Sequence, residues 1–147
     1  MFLIEQGGIF IWPLLACSVL MVAIILERFY AFATYMKKPL IAYETPQLIM
    51  ESLRRRLVVL STIITIAPML GLLGTITGLM KCFQLLGSKV TIYNPQEVSL
   101  GISEALLTTG VGLVITVVGL IFYNYFSARL EQYVNKYNFQ LEEDGNE

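Results

Sequence analysis

The sequence predicts an all-α membrane protein with three transmembrane helices and cytoplasmic helical extensions. Two observations predict it. The 147-residue chain is 56% hydrophobic and 14% charged, with positive mean hydropathy, which is too apolar for a soluble domain of its size. Its apolar residues are also gathered into uncharged runs. Roughly 20 apolar residues cross a hydrocarbon core; Leu57 to Met80 and Ala105 to Phe126 reach that length, and Phe10 to Leu26 is just sufficient. Spans are therefore expected at about residues 9–27, 57–80 and 105–126 of one membrane domain covering residues 1–147.

The first run is preceded by Glu5 and by no Lys or Arg, and no small-residue cleavage site follows it. It is therefore expected to remain in the mature chain rather than act as a signal peptide. Sidedness follows from the basic residues, which are retained on the cytoplasmic side. Arg28, Lys37, Lys38, Arg54, Arg55 and Arg56 lie between the first two spans, against Lys81 and Lys89 between the second and third. The loop 28–56 and the tail 127–147 are expected in the cytoplasm, the N-terminus and the segment 81–104 in the periplasm.

The first helix should continue through Glu27-Arg28 and the aromatic residues Phe29, Tyr30, Phe32 and Tyr35 until Lys37-Lys38-Pro39 ends it. Thr45-Pro46 reads as an N-cap with proline at the first helical position, and Asn94-Pro95-Gln96-Glu97 repeats that signature with a capping-box glutamate. Beyond the third span, Leu130, Tyr133, Val134, Tyr137 and Leu141 recur at three- and four-residue steps. That is an amphipathic helix whose apolar face packs on other helical extensions, in the same subunit or a neighbour.

Composition also excludes functions. A net charge of −1 gives no footprint for nucleic acid. Cys17 and Cys82 have neither metal nor redox spacing. The spans carry no acid, base or metal set, so neither an enzyme nor a cofactor is expected.

The second and third spans each carry one face of small and hydroxylated residues. Ser61, Thr65, Pro68, Gly71, Thr75 and Gly78 step by three or four, as do Thr109, Gly112, Thr116, Gly119 and Tyr123; Gly74 and Thr108 lie beside these rows. The two spans run antiparallel, so depth can be counted from the outer end of each. Thr75 is five residues from Met80 and Thr109 five past Glu104, which puts both about 7 to 8 Å inside the boundary at 1.5 Å per residue. The same count pairs Pro68 with Thr116. Small residues let helices pack closely, with hydroxyls bonded to their own helix. The matched faces equally suit a hydrated or partner-filled lumen. Glu104 is either an interfacial carboxylate or a negative vestibule gathering cations. Because none of the three uncharged runs holds an ionisable carboxylate or amine and the chain has no histidine, a proton crossing here would need water or another chain's carboxylate, since a threonine hydroxyl cannot hold and release one near neutral pH.

GLLGTITGLM after Ala67-Pro68, and GISEALLTTGVGLV from Gly101 to Val114 continuing into Tyr123-Asn124, resemble the proton-channel family that includes ExbB, TolQ and MotA, with ExbB and TolQ nearer. Arg28 within LERFYAF is a fainter echo. The resemblance implies a homo-oligomeric, pentameric ring around an ExbD/TolR-like single-span protein that supplies a membrane aspartate, with a TonB/TolA-like protein downstream and the lipid bilayer as surroundings. It implies pore positions at Thr75 and Thr109 and the motif glutamate at Glu104; Thr108, Thr65, Ser61 and Thr116 are expected to extend the polar path, and Gly71, Gly74, Gly78, Gly112 and Gly119 to pack helices. The short loop 28–56 and Val118 depart from many relatives, which have a long helical domain and a proline there. Two rivals remain at this stage: a structural scaffold subunit and a self-sufficient cation channel. Thr77, about 200° around the helix from Thr75, is the expected neutral comparison position.

Overall fold

The structure, a computed structural model, describes residues 9–87 and 95–147. Glu5, Lys89 and Asn94, which carried parts of the sidedness and capping expectations, lie outside them. Three long helices follow one another: α1 (Ile11–Tyr35), α2 (Pro46–Gly87) and α3 (Pro95–Gly145), with one 3₁₀ turn at Leu40–Ala42 between the first two. All three are long and apolar enough to cross a membrane. Helices suit that setting because their backbone groups are satisfied within the segment, where no water is available.

Proline and charge set the helix ends. α1 stops at Tyr35, ahead of Lys37-Lys38-Pro39, and Pro39 has no N–H to continue the helical ladder onto the Tyr35 carbonyl. α2 opens on Pro46, and the carbonyl of Thr45 accepts the Ile49 N–H at 3.4 Å. α3 opens on Pro95 with Glu97 in its first turn, where a carboxylate complements the helix dipole.

The chain packs as two compact units, and α2 and α3 each pass through both. In the first, built from the chain up to Val19 and from Ile63–Val118, glycine governs the approach of α2 to α3. A Cβ on Gly112 would stand 2.6 Å from the Ala67 carbonyl oxygen, one on Gly74 2.5 Å from Thr108 Cγ2, and one on Gly78 2.7 Å from the Ala105 Cβ. At Gly71 the neighbours are the Thr108 carbonyl and Thr109 Cα, both at 3.0 Å. The contacting residue numbers rise on one helix as they fall on the other, so the pair is antiparallel. Between helices in lipid, close backbone approach replaces the hydrophobic drive that water would supply.

The second unit, Leu20–Thr62 with Gly119–Glu147, has a core of Leu53, Leu57, Leu60, Phe126 and Leu130, with Leu40 of the 3₁₀ turn also buried. Helix C-termini leave carbonyls unpaired, and tyrosines satisfy those at the end of α1. Tyr133 Oη donates to Lys38 O at 2.7 Å and reaches Tyr35 O at 3.1 Å, while Tyr43 Oη donates to Tyr35 O at 2.8 Å. Burial, and secondarily the nearby Tyr43, push the Tyr133 hydroxyl above the ordinary tyrosine range. The amphipathic face beyond the third span packs in its first half only. Leu130 and Tyr133 are buried, but Leu141 is 46% exposed.

The seam predicts a matched pair of substitutions. Gly112→Ala drives a methyl group into the Ala67 carbonyl, whereas Gly110 has nothing within 4 Å of its added Cβ. Overpacking of this kind costs about 1 to 3 kcal/mol. Thermal unfolding in detergent should therefore show Gly112→Ala clearly destabilised and Gly110→Ala unchanged or slightly stabilised.

Candidate functional site

The site is built on the α2–α3 seam of the first unit. Thr75 and Thr109 project from facing turns, and their hydroxyls meet each other directly. Thr75 Oγ1 also lies 3.0 Å from Ala105 O and 3.2 Å from Gly71 O. Thr109 Oγ1 lies 3.1 Å from Gly71 O and 3.5 Å from Ala105 O. Two hydroxyls thus share two carbonyls, one from each helix. Both side chains are half-buried at the edge of the seam. The glycine approach at Gly71 permits this, since a side chain there would hold the two helices apart.

Thr116 is held differently. Its hydroxyl lies 3.2 Å from Ile64 O, across the seam, and 3.0 Å from Gly112 O. Pro68 sits inside α2 and has no N–H, so the carbonyl four residues earlier, that of Ile64, loses its helical donor. Thr116 supplies the missing hydrogen bond, which is the physical content of the Pro68–Thr116 depth match. The Gly71 and Ala105 carbonyls, by contrast, retain the ordinary helical donors of Thr75 and Thr109. Their hydroxyl bonds are additional. Thr75 and Thr109 can therefore turn their protons to another acceptor without orphaning a carbonyl, whereas Thr116 cannot.

The remaining expected residues divide. Thr108 is 1% exposed, its methyl group lies over Gly74, its hydroxyl donates to Glu104 O at 2.9 Å, and it borders the same hollow as Glu104. The absence of a side chain at Gly74 leaves the room that the Thr108 methyl group occupies. Thr65 is exposed and Ser61 half-buried, and both interact with neighbours. Gly119 is buried.

Glu104 is half-buried and lines a hollow of about 300 Å³ together with Lys81, Glu97, Thr77, Gly78 and Gly101. Beside it, Cys82 Sγ lies 3.5 Å from Val98 O. Thr77, whose hydroxyl donates to Leu73 O and Gly74 O at 3.0 and 3.1 Å, therefore belongs to this charged hollow and is no neutral comparison. Thr62, exposed and bonded only to Val58 O at 3.0 Å among the described contacts, serves better. The three- and four-residue steps linking Gly74, Thr77, Gly78 and Lys81 were the sequence signal for this second face.

Arg28 proves more central to the second unit than its motif suggested. Only 3% exposed, it donates through Nη1 to Leu53 O at 3.1 Å and Ser52 O at 3.4 Å. Its Nη2 contacts Glu27 Oε1 at 2.9 Å, and Arg56 Nε approaches the same oxygen at 3.6 Å. One carboxylate thus serves an arginine from each helix. An adjacent Glu-Arg pair at the end of an apolar run was the available signal.

The model of the MotA/TolQ/ExbB proton channel family matches residues 40–138. The chain belongs to this family. It is 33% identical over 125 residues to a protein named ExbB-like 2 from Helicobacter pylori, covering 85% of this chain and 81% of that one. A protein named ExbB-like 3 from Synechocystis is 47% identical over 75 residues, covering 50% of this chain and 36% of the relative. The Tol-Pal system protein TolQ of Pseudomonas aeruginosa is 38% identical over 87 residues, covering 59% of this chain and 37% of that protein. The chain thus spans little more than a third of these last two relatives. No solved structure matches the chain significantly. The family's matched region takes in the whole α2–α3 seam.

The contrast between Thr116 and the Thr75–Thr109 pair is testable by unfolding alone. Orphaning a buried carbonyl costs about 1 to 3 kcal/mol, so Thr116→Val should destabilise the protein by that amount. In a Pro68→Ala background the restored backbone N–H takes over, and the same Thr116→Val change should cost less than about 1 kcal/mol. Equal losses in both backgrounds would mean that the Ile64 carbonyl is satisfied by another group.

Proposed function

We propose that this chain is the proton-channel subunit of an energiser complex in the bacterial inner membrane, with a periplasmic N-terminus and a cytoplasmic C-terminus. In this reading it is not an enzyme. Copies form a homo-oligomeric ring, five by family resemblance, around an ExbD/TolR-like single-span protein that supplies a membrane aspartate. A TonB/TolA-like protein takes up the resulting motion. The observation that carries the proposal is the Thr75–Thr109 pair, two half-buried hydroxyls held together at one depth by bonds that the helices do not need. The family membership supplies the chemistry to which such a pair is suited.

An ionised carboxylate accepts hydrogen bonds about twice as strong as those between neutral groups. Facing the pair, it would draw both hydroxyl protons away from Gly71 O and Ala105 O. Once protonated, it would lose that advantage and the hydroxyls would return to the carbonyls. The two states differ by a small rearrangement and leave no helical carbonyl unpaired. A proton crossing 100 mV releases about 2.3 kcal/mol, several times thermal energy, so one protonation per step can bias the direction. Glu104, in the hollow with Lys81 and Glu97, would set the local field at the outer end of the path.

Proteoliposomes test this reading. The ring alone should leak few protons, the ring with its single-span partner should conduct, and replacing the partner's membrane aspartate by asparagine should abolish conduction. Conduction by the ring alone would favour the self-sufficient channel, and no conduction in any combination would favour the scaffold. Within the complex, Glu104→Gln should lower proton flux about tenfold by weakening the local field, with the ring intact by native mass spectrometry.

A further inference from the structure

A second feature lies in the second unit, away from the threonines. Between the end of α1 and the middle of α3 is a hollow of about 250 Å³ lined by Phe29, Phe32, Met36, Tyr125 and Phe126, with Lys37 and Arg129 on its rim. Phe126 is buried and anchors the floor, with Phe29 edge-on at 4.9 Å and Phe32 stacked at 5.2 Å between ring centroids. Phe29 and Tyr125 remain substantially exposed above it. Lys37 and Arg129 are exposed, and neither forms an ion pair among the described residues. The carboxylate in this unit that does pair, Glu27, is held by Arg28 and Arg56.

Its position along the chain fixes its surroundings. The last large apolar residue of the third span is Phe126, three residues before Arg129, which places the cation about 4.5 Å beyond the apolar limit. That is the level at which a bilayer changes from acyl chain to phosphate. Exposed aromatic rings and two uncompensated cations together match an amphiphile with an anionic head. A soluble acidic peptide would leave the rings uncovered, and a neutral lipid would leave the two cations without a net negative partner.

We propose that this hollow binds one anionic glycerophospholipid per subunit, its phosphate held by Lys37 and Arg129 and the start of an acyl chain lying on Phe29 and Tyr125. Bound there, the lipid would bridge α1 to α3 where the two helices meet the membrane surface. The proposal requires only that the chain spans a membrane, so it stands or falls separately from the energiser role.

The full chain, purified in mild detergent and stripped of lipid, should be titrated with phosphatidylglycerol and with phosphatidylcholine and read by native mass spectrometry. Each basic residue near an anionic lipid contributes about a fivefold gain. Phosphatidylglycerol should therefore bind about thirtyfold more tightly than phosphatidylcholine, at one per subunit. The Lys37→Gln/Arg129→Gln variant should lose that preference, while Lys136→Gln, an exposed cation outside the hollow, should keep it. Inorganic phosphate at the same concentration should not compete. Equal binding of both lipids, retained preference in the double variant, or competition by phosphate alone would overturn the proposal. Dissociation of the oligomer in the double variant with lipid binding unchanged would also overturn it, by assigning the hollow to a neighbouring copy.

Discussion

Where a helix has no water around it, every carbonyl must find a donor in protein, and Pro68 breaks that rule at Ile64. Thr116 repairs it from α3, and in doing so fixes one point of contact between α2 and α3. Glycine permits the approach that makes the repair possible, since Gly112 lies against Ala67 with no room for a methyl group. Farther along the same antiparallel seam, Thr75 meets Thr109. The polar pair thus lies on the same glycine-lined seam as a proline seven residues away along α2.

The same accounting separates hydroxyls that hold the fold from hydroxyls that can work. Thr116 is committed because its acceptor has lost its helical donor, and Thr108 is enclosed over Gly74. Thr75 and Thr109 bond carbonyls that already have donors, and they sit where another side chain can reach them. A structural role and a functional role are therefore not competing descriptions of one threonine row. In the proposed function they fall on different members of it, according to whether each acceptor depends on the hydroxyl.

Much of this was legible in the sequence, for identifiable reasons. Uncharged runs located the long helices, and Pro46 and Pro95 marked their starts, because proline at a first helical position forfeits a hydrogen bond that would be missing anyway. Counting inward from Met80 and Glu104 brought Thr75 to Thr109, since rise per residue is constant in a helix. Depth counting says nothing about rotation, however. It therefore could not show that Thr108 is enclosed or that Thr77 faces the charged hollow with Glu104. The ion-pair hub at Glu27 escaped for another reason: it depends on Arg56, 29 positions away in the chain, and a single helix pattern does not reveal its partner.

If Thr75 and Thr109 serve an acceptor from outside the chain as one unit, a double-mutant cycle on proton flux reveals it most directly. Thr→Val removes the hydroxyl and keeps the shape. In proteoliposomes containing the complete complex, Thr75→Val, Thr109→Val and the double variant should all lose flux to about the same low level, because residues acting together are not additive. Their melting temperatures should stay near that of the unaltered protein, and Thr62→Val should conduct normally. Losses that multiply in the double variant, or that track a fall in melting temperature, would contradict the account and return both threonines to helix packing.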